Sequence, residues 1–116
     1  MRLNFKRIFF LLLIFSIPNC LYAGDLLLGK EKAAIVCAAC HGMDGQAASG
    51  GNSSLTPNIT AQEKEYLLAK LKDYKSGKIN HPQMSLIAQM LSDEDIENVS
   101  EWYSKIKISI ELPLEK

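Results

Sequence analysis

Apolar positions recur at helical spacing from Leu26 to Ile106, and period-two alternation of the kind that marks strands is essentially absent. Asp25 can cap a helix running through Leu26, Leu27 and Leu28 to about Ala39. Gly29 lies inside that helix, where glycine costs roughly 1 kcal/mol against alanine, so a second helix is expected to cross there at close range. Residues 42–57 hold Gly42, Gly45, Gly50, Gly51, paired serines and Pro57, and read as loop. Thr60 with Glu63 reads as a capping box opening a second helix. On it Leu67, Leu71 and Tyr74 share one face, Lys64, Lys70, Lys72 and Lys75 fill much of the remainder, and Gly77 is the expected stop. A connection over 78–83, held by Pro82, leads to a brief helical stretch from Ser85 to Leu91. Ser92 with Asp95 then caps a last helix whose apolar side carries Ile96, Val99, Trp102, Tyr103 and Ile106. Pro113 argues against helix in the tail after Lys107. The pattern predicts an all-α domain.

The first 23 residues read differently. Arg2, Lys6 and Arg7 precede an apolar run from Ile8 to Ile17, broken by Pro18 and Asn19, with Ala23 as a small residue before a cut at Gly24. That is the layout of a secretory signal peptide, and the run is short for a membrane span. The alternatives are a lipid anchor at Cys20, which follows Ile17-Pro18-Asn19, and retention of the segment as an uncleaved N-terminal anchor. Residues 24–107 then form one domain and 108–116 a C-terminal tail. The 116-residue chain balances 13 basic against 13 acidic side chains, but the leader takes three cations and no anions, leaving the remainder acidic. Nucleic acid, which calls for a basic stripe, is not an expected partner.

After the leader only Cys37 and Cys40 remain of the three cysteines, in the pentapeptide Cys37-Ala38-Ala39-Cys40-His41. C-x-x-C-H is the attachment signature of a c-type haem. Cysteines three apart lie on one face of a helical turn, so both thiols reach one side of a porphyrin and can bond its two vinyl groups. His41 then supplies an imidazole to the iron. The alternatives are a plain disulfide, as exported proteins carry, and a thiol oxidoreductase, which lacks its expected βαβ pattern here. A chain this short has modest capacity to bury apolar surface alone, so a covalent haem is expected to complete the core, and the polypeptide without it to fold poorly.

The second axial position has several candidates: Met43, His81, Met84, Met90, or none. Met43 lies two residues from His41 on the same side. His81 reads as a solvated loop histidine, and Met90 as pocket lining or core. Met84, in a loop beyond the second helix, can approach from the opposite face and is the expected ligand. A thioether favours ferrous iron and raises the reduction potential relative to a second imidazole. Two filled positions describe a carrier better than a catalyst; a haem enzyme or gas sensor would need an open one.

These residues resemble the small class I c-type cytochromes of bacteria, most closely one half of the periplasmic dihaem cytochromes or their monohaem relatives. The likeness runs through Gly24-Asp25, Gly29-Lys30, Cys37 to Gly42 and Asp44-Gly45. It continues in Tyr66-Leu67, Leu71, Tyr74 to Lys78, Asn80 and Met84, then Leu91 to Ile96 and Trp102-Tyr103. It implies a cytochrome c fold of three to five helices around one covalently attached haem c. Cys37 and Cys40 would carry the thioether bonds, His41 and Met84 would bind the metal, and the Pro57 carbonyl would hold the far nitrogen of His41. Gly29 would meet the last helix against Trp102 or Tyr103. Where the family often runs Leu-Ala-Gly-Gln after the proline, this chain has Asn58-Ile59-Thr60-Ala61-Gln62, and a common basic residue is replaced by Ile79. Both departures bear on the propionate contacts. The implied function is periplasmic single-electron transfer between redox partner proteins, without enzymatic activity. The alternative is the haem subunit of a membrane-associated oxidase or dehydrogenase complex.

Overall fold

The computed structural model describes residues 23–51, 54–109, 111 and 113; nearly all of the expected leader, Cys20 included, and part of the tail lie outside them. The described residues form four helical runs and no strand, the all-α architecture expected. The first run, α1, is continuous from α-helical Leu26–Lys32 through a π-helical turn, Ala33–Cys37, to α-helical Ala38–His41. Asp25 caps it: Oδ1 accepts the N–H groups of Leu27 and Leu28 at 2.8 and 2.9 Å. The π turn lets one extra residue into the helix. The sequence carries no sign of it, since Ala33-Ala34-Ile35-Val36-Cys37 suits an ordinary helix equally well.

Helix α2 spans Lys64–Ser76, α3 Met84–Met90 and α4 Asp93–Ser104. Gly77 ends α2 in the left-handed conformation at φ 78°, as expected. The box around α4 forms in both directions: Ser92 Oγ accepts from the Asp95 N–H at 3.0 Å, and Asp95 Oδ2 from the Ser92 N–H at 2.9 Å. The box expected at Thr60 and Glu63 does not form. Glu63 itself precedes α2, with no side-chain cap, and the Thr60 hydroxyl donates to the Asp44 carbonyl. The chain turns there through Ala61, a non-glycine residue at φ 55°, whose N–H reaches the Tyr103 carbonyl at 3.0 Å. Ala61 stands within the segment where the resembled family runs Leu-Ala-Gly-Gln. Helix α3 begins one residue before its expected start, so Met84 opens a helix rather than ending a loop.

α1 crosses α4 at Gly29. A methyl group there would lie 2.0 Å from the Asn98 carbonyl oxygen and 3.1 Å from Trp102 Cβ; of the two expected neighbours, Trp102 is the one met. One turn earlier, the Asp25 N–H donates to Asn98 Oδ1 at 2.7 Å, so backbone and side chain of one α4 residue both receive α1. Ala33, Leu67 and Tyr103 form the buried centre where α1, α2 and α4 meet, with Cys37, Ile59, Trp102 and Ile106 packed against it. Ile106 lies beyond the end of α4 yet still covers this centre. Around the outside, Lys64 bridges Glu97 and Glu101, Lys72 meets Glu97, and Lys32 meets Asp95.

Two backbone positions yield opposite expectations. Gly29→Ala should destabilise the protein by about 1–3 kcal/mol, since neither packed backbone can retreat without unpacking the crossing. Ala61→Gly should stabilise it by up to ~1 kcal/mol. It relieves a left-handed conformation costing ~1–2 kcal/mol and returns part of that to the freer unfolded chain. Urea midpoints of the two variants against the parent check both signs.

Candidate functional site

The end of α1 presents three donor atoms within five residues. Cys37 is half-buried and Cys40 exposed; both are free thiols. Burial pushes the Cys37 thiol up to about 11, opposed by a hydrogen bond with the Tyr103 hydroxyl. It is therefore uncharged at neutral pH, the reverse of the depressed thiol that disulfide exchange uses. His41 is 8% exposed. Its Nδ1 donates to the Pro57 carbonyl at 3.0 Å, the contact that the resemblance implied. A carbonyl only accepts, so the proton sits on Nδ1 and the Nε2 lone pair is left for a metal. Burial lowers the imidazole pKa against the opposing pull of Pro57, which keeps that lone pair unprotonated.

Residues on both arms of the loop between Gly42 and Ile59 are tied together so that Pro57 meets His41. Asp44 accepts the Gln46 N–H at 3.0 Å and the Ser49 hydroxyl. The Ser49 bond first, and then the Gln46 bond, holds its carboxyl below the usual range. Asn58 Oδ1 takes the Ala47 N–H at 2.9 Å, and the Ile59 N–H returns to the Gly45 carbonyl at 2.8 Å. Helix α4 then reaches across. Trp102 Nε1 donates to the Met43 carbonyl at 3.1 Å and Tyr103 Oη to the Gly42 carbonyl at 2.9 Å. Trp102 is thus more than core, and Tyr103 touches both Cys37 and the residue after His41. Their place in an apolar helical stripe marked them for burial, but nothing in the sequence pattern marked these polar ends.

Two adjoining cavities open beside these donors, of about 540 and 200 Å³. Cys37, His41, Pro57, Leu71, Tyr74 and Met84 line both; Cys40 lines the larger alone. Of the methionines at 43, 84 and 90, only Met84 borders them. Met90 is 72% exposed, which corrects its expected place in the pocket or core. Six residues along a helix turn through about 600°, so Met84 and Met90 cannot share a face, and the buried side belongs to Met84, Ala88 and Leu91. His81 lines the larger cavity, but its Nδ1 accepts the N–H groups of Gln83 and Met84 at 3.3 and 3.2 Å. That use of the ring lone pair makes His81 a brace for the start of α3.

This arrangement suits a flat, largely apolar macrocycle. Two thiols project from one helix, an imidazole nitrogen is freed by its partner on the far side, and Leu67, Leu71, Val99 and Ile87 supply apolar walls. Ser100 Oγ, on the same wall, is buried with no hydrogen-bond partner, a polar atom that a bound group could satisfy.

The comparisons with known proteins agree with this geometry. The family model for cytochrome c matches residues 27–107. The chain is 41% identical over 85 residues to cytochrome c-554(548) of Halomonas halodenitrificans, covering 71% of this chain and 96% of that protein. It is 35% identical over 88 residues to cytochrome c4 of Pseudomonas aeruginosa, covering 76% of this chain but 41% of that longer protein. A further relative, the cytochrome subunit of sulfide dehydrogenase of Chlorobaculum tepidum, is 30% identical over 76 residues, covering 66% of this chain and 64% of the relative. A domain of this kind carries one covalently attached haem c and serves electron transfer. The chain belongs to the cytochrome c family.

Proposed function

We propose that the chain is an exported carrier of single electrons, in which Cys37 and Cys40 hold the haem and His41 and Met84 are its two axial ligands. The observation that carries this reading is the pairing of His41 and Met84 along both cavities, with no other described methionine bordering either. When bound, the haem supplies a one-electron couple between ferric and ferrous iron. The chain's own residues do the rest. Pro57 keeps the proton of His41 on Nδ1 and fixes the ring's direction. His81 and the first turn of α3 position Met84. His41 and Met84 would together hold the iron in either oxidation state, leaving no coordination place for a substrate. The chain on this reading is not itself an enzyme.

The partners on this reading are redox proteins that meet the mouth of the larger cavity. Leu55 borders that mouth and is 94% exposed, and an apolar contact of small area suits brief encounters. Export to the periplasm rests on the leader of residues 1–23. A lipid anchor at Cys20 is the membrane-associated variant. No helix among the described residues is long and apolar enough to cross a membrane. The second reading, a haem subunit of an oxidase or dehydrogenase complex, draws support from the sulfide dehydrogenase relative.

Spectra of the purified protein before and after dithionite should show a low-spin haem that survives acid–acetone extraction; a haem extracted by acid acetone would contradict the two thioether bonds. Met84→Ala should give a high-spin, carbon-monoxide-binding protein with a lowered potential. An unchanged spectrum would remove Met84 as ligand.

A further inference from the structure

Helix α2 and the turn after it carry five lysines, and four have carboxylate partners. Lys64 pairs with Glu97 and Glu101, Lys72 with Glu97, Lys75 with Asp93 and Lys78 with Asp73. Lys70 has no ion-pair partner among the described residues. Its ammonium lies 5.5 Å from the centre of the Tyr66 ring, one helical turn back. Among the described residues, Lys70 is also the only lysine, arginine or carboxylate side chain lining either cavity. It borders the smaller one, beside Gln62 and Tyr66.

The chemistry of the cofactor supplies the missing charge. A haem carries two propionate carboxylates, on the edge of the macrocycle opposite the two vinyl groups that cysteines bond. Cys40 lines the larger cavity alone, whereas Lys70, Gln62 and Tyr66 line the smaller alone. The carboxylate edge therefore falls on the side of Lys70. A carboxylate taken from water without a partner is costly, and a cation already half-buried and held on an aromatic face is a ready one. We infer that Lys70 binds a haem propionate and, by fixing a positive charge beside the iron site, raises its reduction potential.

The sign follows from Coulomb's law. Ferric iron carries one more positive charge than ferrous, so a nearby cation favours the reduced form, and an uncompensated propionate favours the oxidised. The inference rests on the haem occupying these cavities, and the test separates the two. Potentials are measured on the haem-loaded protein for the parent, Lys70→Gln, Lys70→Arg and Lys72→Gln. Glutamine and lysine have similar helix propensity, so α2 should persist, with thermal unfolding as the check. Lys70→Gln should lower the potential and Lys70→Arg should keep it near that of the parent. The Lys70→Gln difference should persist in roughly 1 M salt, where pairs at the exposed surface are screened. Lys72→Gln should give a smaller change that salt abolishes. Equal shifts for Lys70→Gln and Lys72→Gln, or a Lys70→Gln shift that vanishes in salt, would overturn the role of Lys70 while leaving the haem assignment intact. A parent protein that fails to retain haem would overturn both.

Discussion

The close approach of α1 to α4 at Gly29 is the contact on which the site depends. It brings the Asn98 carbonyl and Trp102 Cβ against a position where any side chain would collide, and the Asp25 N–H to Asn98 Oδ1 bond pins the start of α1 at the same place. Once the two helices touch there, Trp102 and Tyr103, one turn further along α4, come level with the end of α1. They take the Met43 and Gly42 carbonyls just past His41. The direction in which α1 presents Cys37, Cys40 and His41 is thus set by a glycine eight residues before the first cysteine. Without the crossing the donors would still be neighbours in sequence, but nothing would aim them.

Charge organises the outside of the same bundle. The acids of α4 face lysines of α1 and α2: Asp95 with Lys32, Glu97 with Lys64 and Lys72, Glu101 with Lys64. Each such pair is worth little alone. With Lys75, which meets Asp93, they account for three of the four lysines on the basic face that α2 shows in the sequence, so most of that face is engaged in the protein's own packing. The carboxyl of Asp95 illustrates the balance. Burial pushes its pKa up, but the Ser92 backbone and hydroxyl bonds and Lys32 outweigh this and leave it lowered. Its contribution to the cap and ion pair is therefore present at neutral pH and lost only as the pH falls through that depressed value.

Local chemistry was legible in the sequence where the partners are close in the chain. Asp25, Gly77 and the Ser92–Asp95 pair act within a turn of themselves, and each behaves as its residue type predicts. The C-x-x-C-H run was legible for the same reason. Thr60 with Glu63 had the same local form, but the chain turns left-handed at Ala61, whose N–H goes to the Tyr103 carbonyl, and no window along the chain contains that partner. The π turn at Ala33–Cys37 was illegible because its residues have no preference between a helix with and without one extra residue. Met90 was misplaced because the inward face of α3 belongs to Met84, Ala88 and Leu91, and the six residues from Met84 to Met90 carry the chain through about 600° and off that face. Ala61 lies between these cases. The departure from Leu-Ala-Gly-Gln was visible, while the positive φ that gives it meaning appears only in the fold.

The polar groups around the cavities are already committed to holding one another. Pro57 receives His41, Gly42 receives Tyr103, Met43 receives Trp102, and His81 receives the N–H groups that begin α3. Each bond joins a segment bearing a proposed haem contact to a different element: the His41 turn to the Pro57 loop, that turn again to α4, and Met84 to its preceding connection. A site built in this way resists rearrangement when one charge is added or removed, because moving either proposed axial ligand would break its hydrogen bond to a neighbouring segment. Small rearrangement is what makes a one-electron step easy in both directions. The chain's polar chemistry is thus spent on rigidity, and rigidity around a redox centre is the property an electron carrier requires.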